Sequence, residues 1–317
     1  MSISFLDHLG DVEDPRIPGM VVYPLDEILL TVLVGLLCRA EDFDEIEDIC
    51  GELLDWLRQF LAFRDGVAPA QTLKRTLARL EPRSLEAAFA AWAASLARRV
   101  RGVVAIDGKT LRGSKQASCG KDALHLVQAY AHEAGLVLAQ RAVDTKSNEI
   151  TAIPELLDML ALEGAIVTID AMGTQKEIAA KVVARKADYV LALKGNQGTL
   201  QDDVALFFAD PVLSAECPCH AETDAGHGRI EERTVRAADA AWLAKRHPQW
   251  KALKSIAAVT VRRTIKKTGA ITTETRLFIA SLPPDPVRLA EAVRAHWSIE
   301  NNLHWILDVG FREDQCR

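Results

Sequence analysis

Three acidic residues stand where a protein could build a metal centre for phosphodiester chemistry. Asp107 and Asp170 each follow a short apolar run, and Glu300 lies in a stretch with helical spacing. Carboxylate oxygens are the hard ligands that Mg²⁺ prefers, and two such ions can activate an attacking oxygen and stabilise a leaving one. If the chain brings these side chains together, the sequence predicts cutting or joining of phosphodiester bonds with two Mg²⁺ ions, for which Mn²⁺ could substitute.

Each acid also has an ordinary explanation. An Asp after a strand is usually a turn residue or a helix cap, so Asp170 could simply belong to a βα loop. A Glu in a helix is usually a solvated surface charge. The functional interpretation of Glu300 is favoured because its neighbours are unusual for a solvated face: Trp297, Asn301, His304 and Trp305.

The elements that would position the two aspartates are typical of an α/β protein. From Gly102 onward the hydrophobic pattern changes from helical to strand-like spacing. Three meandering strands followed by βα crossovers give a mixed sheet with helices on its faces, in the order of the ribonuclease H-like fold. In that order the first and fourth strands are neighbours, so Asp107 and Asp170 would lie side by side. The predicted strands are residues 103–107, 124–130, 136–143, 166–170 and 189–193, and the predicted helices are residues 149–162, 174–186 and 199–208.

Two further features are predicted nearer the carboxyl terminus. Alternating β segments indicate a β-rich insertion at about residues 212–282. After it, Pro286 opens a helix that runs from Val287 to about Asp308. This helix would cross the edge of the sheet and supply Glu300.

Residues 1–100 are predicted to form a helical domain, ahead of an α/β domain at residues 101–317. Its helices are expected at residues 25–38, 43–63, 71–80 and 84–99, with Ser84 as the amino-terminal cap of the last one. Such a cluster could be a small DNA-binding domain or an all-α cap on the next domain. The sequence leaves both alternatives open.

The composition is that of a folded protein, with 49% hydrophobic residues. The longest apolar run, Ile28–Cys38, is too short to span a bilayer, and the first residues lack the pattern of a signal peptide. We therefore expect a cytoplasmic protein with reduced thiols. Cys217, Cys219 and His220 could form half of a metal site, but no second half follows at zinc spacing.

The net charge of −6 does not by itself favour a nucleic-acid partner. The distribution of charge along the chain weakens this argument against a nucleic-acid partner. Residues 1–60 contain 14 Asp and Glu against 3 Arg, a local balance of −11, so the remainder of the chain carries +5. The section that holds the three acids is mildly basic, which permits binding to DNA.

The segments around the acids form a set of motifs that covers essentially the whole chain. They are Phe5–Leu9, Asp14–Arg16, Tyr23–Leu25, Ala105–Ser114, Ile169–Gln175, Asp188–Gln197, His227–Glu231 and His296–Val309. Together they resemble the DDE transposases of bacterial insertion sequences, in the branch that includes the H-repeat-associated proteins. The resemblance implies a DNA transposase whose catalytic Mg²⁺ ligands are Asp107, Asp170 and Glu300. It also implies a homodimer on DNA that binds the terminal inverted repeats of the element and the target DNA.

Four residues near the acids are candidates for contacts with DNA. Lys109, Arg112 and Lys194 could hold phosphates, and Asn301 follows the catalytic glutamate. The alternative for the basic residues is ordinary surface charge. The segment His227–Arg229 could also enter the site from the insertion.

Two departures from the family pattern bear on function. A Tyr-x₂-Arg-x₃-Glu-x₆-Lys signature surrounds the glutamate in related transposases, whereas this chain has Val293, His296 and Leu307 in the other three slots. Phosphate contacts of that Arg and Lys are therefore not implied here, and His296 could contact DNA or simply pack. Similar proteins continue beyond the position of Arg317, from which we expect a truncated copy. The alternatives to an active transposase are a non-catalytic DNA-binding remnant and a hydrolytic nuclease of the same fold.

Overall fold

The computed structural model describes residues 5–96, 102–115, 122–143, 149–226 and 228–315. His227, which the sequence offered as a site residue, lies outside the described residues. The chain divides into two compact units. The first comprises Met1–Arg98, Leu111–Lys115 and Ile306–Arg317, and the second comprises Arg99–Thr110 and Gln116–Trp305.

The first unit is helical, as its hydrophobic spacing predicts. Its helices are α1 (Phe5–Leu9), α2 (Leu25–Leu37), α3 (Phe43–Glu52), α4 (Leu54–Leu57), α5 (Ala70–Leu77) and α6 (Pro82–Leu96). The prediction of a single helix at residues 43–63 is wrong, because the helix is interrupted at Leu53 and α4 ends at Leu57. Ser84 is not the cap of α6, which already begins at Pro82, a residue whose fixed φ suits the first helical turn.

The core of the first unit forms where α2, α3 and α5 meet. Ile28, Cys50, Leu57 and Leu73 are fully buried there. Burial raises the pKa of the Glu27 carboxyl, whose Oε1 accepts a hydrogen bond of 2.6 Å from the Phe63 backbone N–H. This bond ties the loop after α4 to the centre of the unit.

The second unit is built on one mixed sheet. The described strands are β1 (Gly102–Leu111), β2 (Leu124–Ala131), β3 (Leu136–Val143), β4 (Ala165–Ile169), β5 (Asp188–Leu193), β6 (Cys219–Gly226), β7 (Arg229–Asp239), β8 (Ser255–Ile265) and β9 (Ile271–Ala280). Their order is β3-β2-β1-β4-β5-β9-β8-β7-β6. The pairings β1–β4 and β4–β5 are parallel, while β2–β3 and all pairings from β5 to β6 are antiparallel. The predicted ribonuclease H-like order of the first five strands is confirmed.

The strands of the insertion extend this same sheet. They fall within the interval predicted for the insertion, and β9 pairs with β5 from Val190–Ala280 to Leu193–Leu277. The sequence indicated the β segments but not this pairing. As a consequence the insertion is continuous with the strands that carry the two aspartates.

Helices cover the sheet of the second unit. They are α7 (Glu149–Asp158), α8 (Lys176–Ala184), α9 (Gly198–Ala209), α10 (Pro211–Glu216), α11 (Ala241–Arg246) and α12 (Pro286–His296). Leu289, Ala292 and Val293 of α12 share a buried cluster with residues of β1, β4, β5 and the insertion. A helix that follows the insertion in sequence therefore packs over the centre of the sheet.

The helical stretch predicted at residues 287–308 is not continuous. After α12 the segment Ile299–His304 is a π-helix, and α13 (Trp305–Val309) follows it. Short π segments widen a helix by one residue and are frequent at functional sites. Among the described residues, no helix has the length and apolar character that crossing a membrane requires.

The closest approach between α2 and α3 generates a stability prediction. A Cβ atom added at Gly35 would lie 2.7 Å from Ile46 Cγ1, whereas one added at Gly51 would meet nothing within 4 Å. We expect Gly35→Ala to lower the free energy of unfolding by about 1–3 kcal/mol through overpacking. The matched Gly51→Ala should be neutral or stabilising by up to about 1 kcal/mol. Thermal and urea unfolding followed by circular dichroism would measure both, and equal effects would contradict the prediction.

Candidate functional site

The register of the central strands places Asp107 beside Asp170. In the parallel β1–β4 pairing the last partners are Ile106 and Ile169, so the two aspartates occupy the next position on each strand. Contrary to expectation, β1 does not end at Asp107 but continues to Leu111, while Asp170 follows the last residue of β4. Because side chains alternate along a strand, both carboxylates point to the face that also carries Ala105 and Thr168.

Helix packing on that face adds Glu300. Ile299 is fully buried against Ala105, and Thr168 Oγ1 lies 3.1 Å from His296 Nδ1. These two contacts bracket the helical segment on the aspartate face of the sheet. A cavity of about 460 Å³ results, and all three predicted acids line it.

The electrostatics of the cavity identify Asp107 as the most perturbed acid. Burial raises the pKa of Asp107 to about 7, and repulsion from Asp170, Glu300 and Glu149 adds to the rise, while a hydrogen bond from the backbone of Gly108 opposes it. Burial and Asp170 also raise the pKa of Glu300, against the effect of Arg276. The three carboxylates share a small volume, and a cation would relieve the repulsion that helps to raise the pKa of Asp107 and Glu300.

Asp170 organises the loop after β4 through both its carboxylate and its backbone carbonyl. Its Oδ1 accepts hydrogen bonds from the backbone N–H groups of Met172 (2.9 Å) and Gly173 (3.1 Å). Thr174 Oγ1 reaches both the Asp170 carbonyl and the Ala192 carbonyl, which ties the loop to β5. The ordinary loop role foreseen for Asp170 is therefore present, and it fixes the carboxylate at the cavity wall.

A buried polar chain lies beside Asp107 on the other face of β1. His125 Nδ1 is 2.8 Å from Thr110 Oγ1, and His125 Nε2 is 2.6 Å from Glu149 Oε1. A Cβ atom at Gly108 would lie 2.4 Å from Glu149 Oε1 and 2.5 Å from His125 Nε2. The strand must therefore have a glycine after Asp107 to accommodate this pair.

The donor set of the cavity suits Mg²⁺. In the described part of the chain, no three His, Cys, Asp or Glu side chains converge closely enough to enclose one ion. Mg²⁺ commonly takes one or two protein carboxylates and completes its octahedron with water and substrate phosphate, so convergence of all three acids on one point is not required. The lining of one cavity by three carboxylates is the observation that favours a cation here.

The predicted DNA-contacting residues fall in different environments. Lys194 is exposed and lines the cavity with the acids. Lys109 is only 6% exposed, which argues against direct contact between its ammonium group and DNA. Arg112 belongs to the first unit, where its backbone N–H donates to Asp314. Asn301 is exposed and lines a neighbouring cavity of about 520 Å³ rather than the cavity of the acids.

Two further residues near the acids, Arg276 and Gln128, carried no clear sequence signal, whereas His304 was already among the unusual neighbours of Glu300. Arg276 of β9 lies 4.5 Å from the ring centroid of Trp297, pairs with Glu274 at 2.8 Å, and lines both cavities. His304 and Gln128 meet through a contact of 3.1 Å. Arg276 lies next to Leu277, whose pairing with Leu193 joins β9 to β5.

His296 packs rather than carrying a charge. Burial lowers its pKa to about 4, so the ring is neutral near pH 7 and bonds to Thr168.

Cys217, Cys219 and His220 do not come together as half of a metal site. Cys217 Sγ donates to the Leu213 carbonyl, and Cys219 and His220 are consecutive in β6, so their side chains point to opposite faces.

The sheet order, the paired aspartates and the helix-borne glutamate define a DDE-type domain of the ribonuclease H-like class. The chain belongs to the family described as "Transposase DDE domain", which matches residues 98–317. A second domain, described as "DDE_Tnp_1-associated", matches residues 6–93.

Similar proteins include bacterial relatives that align over most of their own length. "Putative transposase YncI" from Escherichia coli O157:H7 is 38% identical over 328 residues, which covers 100% of this chain and 83% of the relative. "H repeat-associated putative transposase YhhI" from Escherichia coli (strain K12) is 36% identical over 321 residues, with 98% and 84% covered. A solved structure, a piggyBac transposase synaptic complex with hairpin DNA, aligns with 93% of this chain and 62% of its own, at 10% identity and a TM-score of 0.46.

The raised pKa of Asp107 generates a pH-dependent stability prediction. Below about pH 4 the carboxyl is protonated in both the folded and unfolded states, and between pH 4 and 7 only the unfolded state releases the proton. Folding stability is therefore lost as the pH rises toward 7. In EDTA, Asp107→Asn should exceed the original protein in free energy of unfolding by at least about 2 kcal/mol at pH 8, with the difference vanishing near pH 4.

Unfolding by urea at both pH values would measure this difference. Asp202→Asn, at an exposed acid on α9, is the matched control and should show no such dependence. Addition of Mg²⁺ at pH 8 should narrow the gap, because the cation offsets the carboxylate repulsion. A stability difference for Asp107→Asn that is equal at pH 4 and pH 8 would contradict the assignment.

Proposed function

We propose that this chain is a DNA transposase that cleaves a strand at the end of an insertion sequence and joins the freed 3′-hydroxyl to target DNA. The observation that carries the proposal is the single cavity lined by Asp107, Asp170 and Glu300. Membership of the transposase DDE family supports it. Asp107, Asp170 and Glu300 would hold two Mg²⁺ ions, which supply activation of the attacking oxygen and stabilisation of the leaving one.

The residues of the chain would position the DNA rather than react with it. Arg276 and Lys194 line the cavity as cations, and Arg276 already interacts with Glu300. Phosphate oxygens of the scissile strand would compete for these charges, because charge-assisted bonds from Arg and Lys to phosphate are strong. Asp170 keeps its loop rigid through Met172 and Gly173, so its carboxylate needs little reorganisation before reaction.

Binding two element ends and a target requires more than one active site, so the proposal includes a homodimer on DNA. Two alternatives remain as outcomes of experiment. A nuclease of the same fold would cut DNA without joining it, and a remnant would bind DNA without cutting it. An assay with DNA from the borders of the element, resolving nicked, cut and joined strands, separates all three.

Asp170→Asn provides the sharpest test of the catalytic assignment. The amide keeps an oxygen that can accept from Met172 and Gly173 but removes the negative charge. Because a catalytic metal contributes several kcal/mol, we expect cleavage and joining to fall at least about a hundredfold while DNA binding persists. Asp202→Asn should retain full activity, and unchanged cleavage by Asp170→Asn would refute the assignment.

Lys194→Gln tests the predicted phosphate contact. Loss of one phosphate contact should weaken binding to DNA of any sequence and reduce the slope of log K against log salt by about 0.9. Lys245→Gln, at an exposed lysine of α11, removes the same charge away from the cavity. Fluorescence anisotropy at several salt concentrations would measure both variants, and identical slopes would show that Lys194 is ordinary surface charge.

A further inference from the structure

His304 faces the most perturbed acid of the cavity from the π-helical segment that carries Glu300. Its Nδ1 lies 3.9 Å from Asp107 Oδ2, and its side chain is 12% exposed against 19% for Asp107. Leu303, the preceding residue, packs on the buried cluster of Ala105, Tyr130 and Ile299. The imidazole is therefore held beside Asp107 by the same packing that places the glutamate.

The orientation of the His304 ring is set by two residues of neighbouring strands. Gln128 and Gln140 are partners in the β2–β3 pairing, and Gln128 Nε2 donates to Gln140 Oε1 at 3.2 Å. This bond turns Gln128 Oε1 toward His304, where it lies 3.1 Å from Nε2. An amide oxygen only accepts, so Nε2 is the donor in this contact, and Nδ1 is the ring nitrogen that faces Asp107.

The separation of the two atoms indicates how they could cooperate. At 3.9 Å, Nδ1 and Asp107 Oδ2 are too far apart for a direct hydrogen bond. Bonds from a divalent transition ion to imidazole nitrogen and carboxylate oxygen are each about 2.0–2.2 Å, so one ion can bridge a gap of up to about 4.2 Å. The outer nitrogen of a metal-bound histidine usually donates to a carbonyl or carboxylate oxygen, which is the role that Gln128 Oε1 fills.

We propose that His304 Nδ1 is a ligand of the divalent ion held by Asp107, and that Gln128 is the residue that orients it. This inference rests on the proposed function, since it adds a nitrogen ligand to the same metal centre. A mixed oxygen and nitrogen site binds Mn²⁺ or Co²⁺ more strongly relative to Mg²⁺ than an all-oxygen site does. The chain would therefore prefer the transition ion when both are present.

The test is Mn²⁺ binding to the full chain without DNA, read by electron spin-echo spectroscopy at pH 7.5. The original protein should show modulation from a directly bound nitrogen, and Asp107→Asn should lose it together with much of the Mn²⁺ affinity. His304→Asn should lose the nitrogen signal and bind Mn²⁺ at least about tenfold more weakly. His132→Asn, at an exposed histidine of the same unit, is the matched control and should behave as the original protein.

Gln128→Leu separates orientation from simple packing. It should keep the fold but weaken Mn²⁺ binding less than His304→Asn does, because the ring remains while its orientation is no longer fixed. Mn²⁺ bound through Asp107 without a nitrogen signal would overturn the inference and leave the proposed function standing. Failure of the original protein to bind Mn²⁺ would also overturn it, whereas failure to cleave DNA with Mg²⁺ or Mn²⁺ would overturn the proposed function.

Discussion

The site depends above all on the parallel pairing of β1 with β4. Five consecutive partners, from Gly102–Ala165 to Ile106–Ile169, fix the register, and the next position on each strand is an aspartate. A shift of one residue would turn one carboxylate to the opposite face. The apolar residues that hold the register are buried, so hydrophobic packing enforces the approach of two like charges that would otherwise separate.

That enforced approach explains the chemistry of the cavity. Burial and neighbouring carboxylates raise the pKa of Asp107, and under the proposed function a bound cation would offset this repulsion. Arg276 offsets part of it at Glu300. This arginine reaches the site because β9 pairs with β5, which makes the insertion a continuation of the sheet that carries the two aspartates. The π-helical segment matters for the same reason, since it holds Ile299 in the core while Glu300 lines the cavity.

Much of the fold followed from local patterns. Alternating and apolar runs gave β2 to β5 and the start of β1 to within one residue, because strand periodicity and short turns are encoded locally. Errors occurred where local signals compete. Asp107 looked like the end of a strand, yet β1 continues because Thr110 and Gly108 meet the buried His125–Glu149 pair from β2 and α7. The π segment and the break at Leu53 have no pattern that distinguishes them from continuous helix.

By itself, the sequence determined the three acids, their order on strand, strand and helix, and the family to which the chain belongs. Those features lie in contiguous motifs, so they can be identified directly from the amino-acid sequence. Only the tertiary structure decided which other side chains surround the acids. Lys109 is buried, Arg276 enters from the insertion, and His304 meets Gln128 across the sheet. His304 and Gln128 are 176 positions apart in the sequence, and long-range register and packing, rather than any local spacing, bring such residues together.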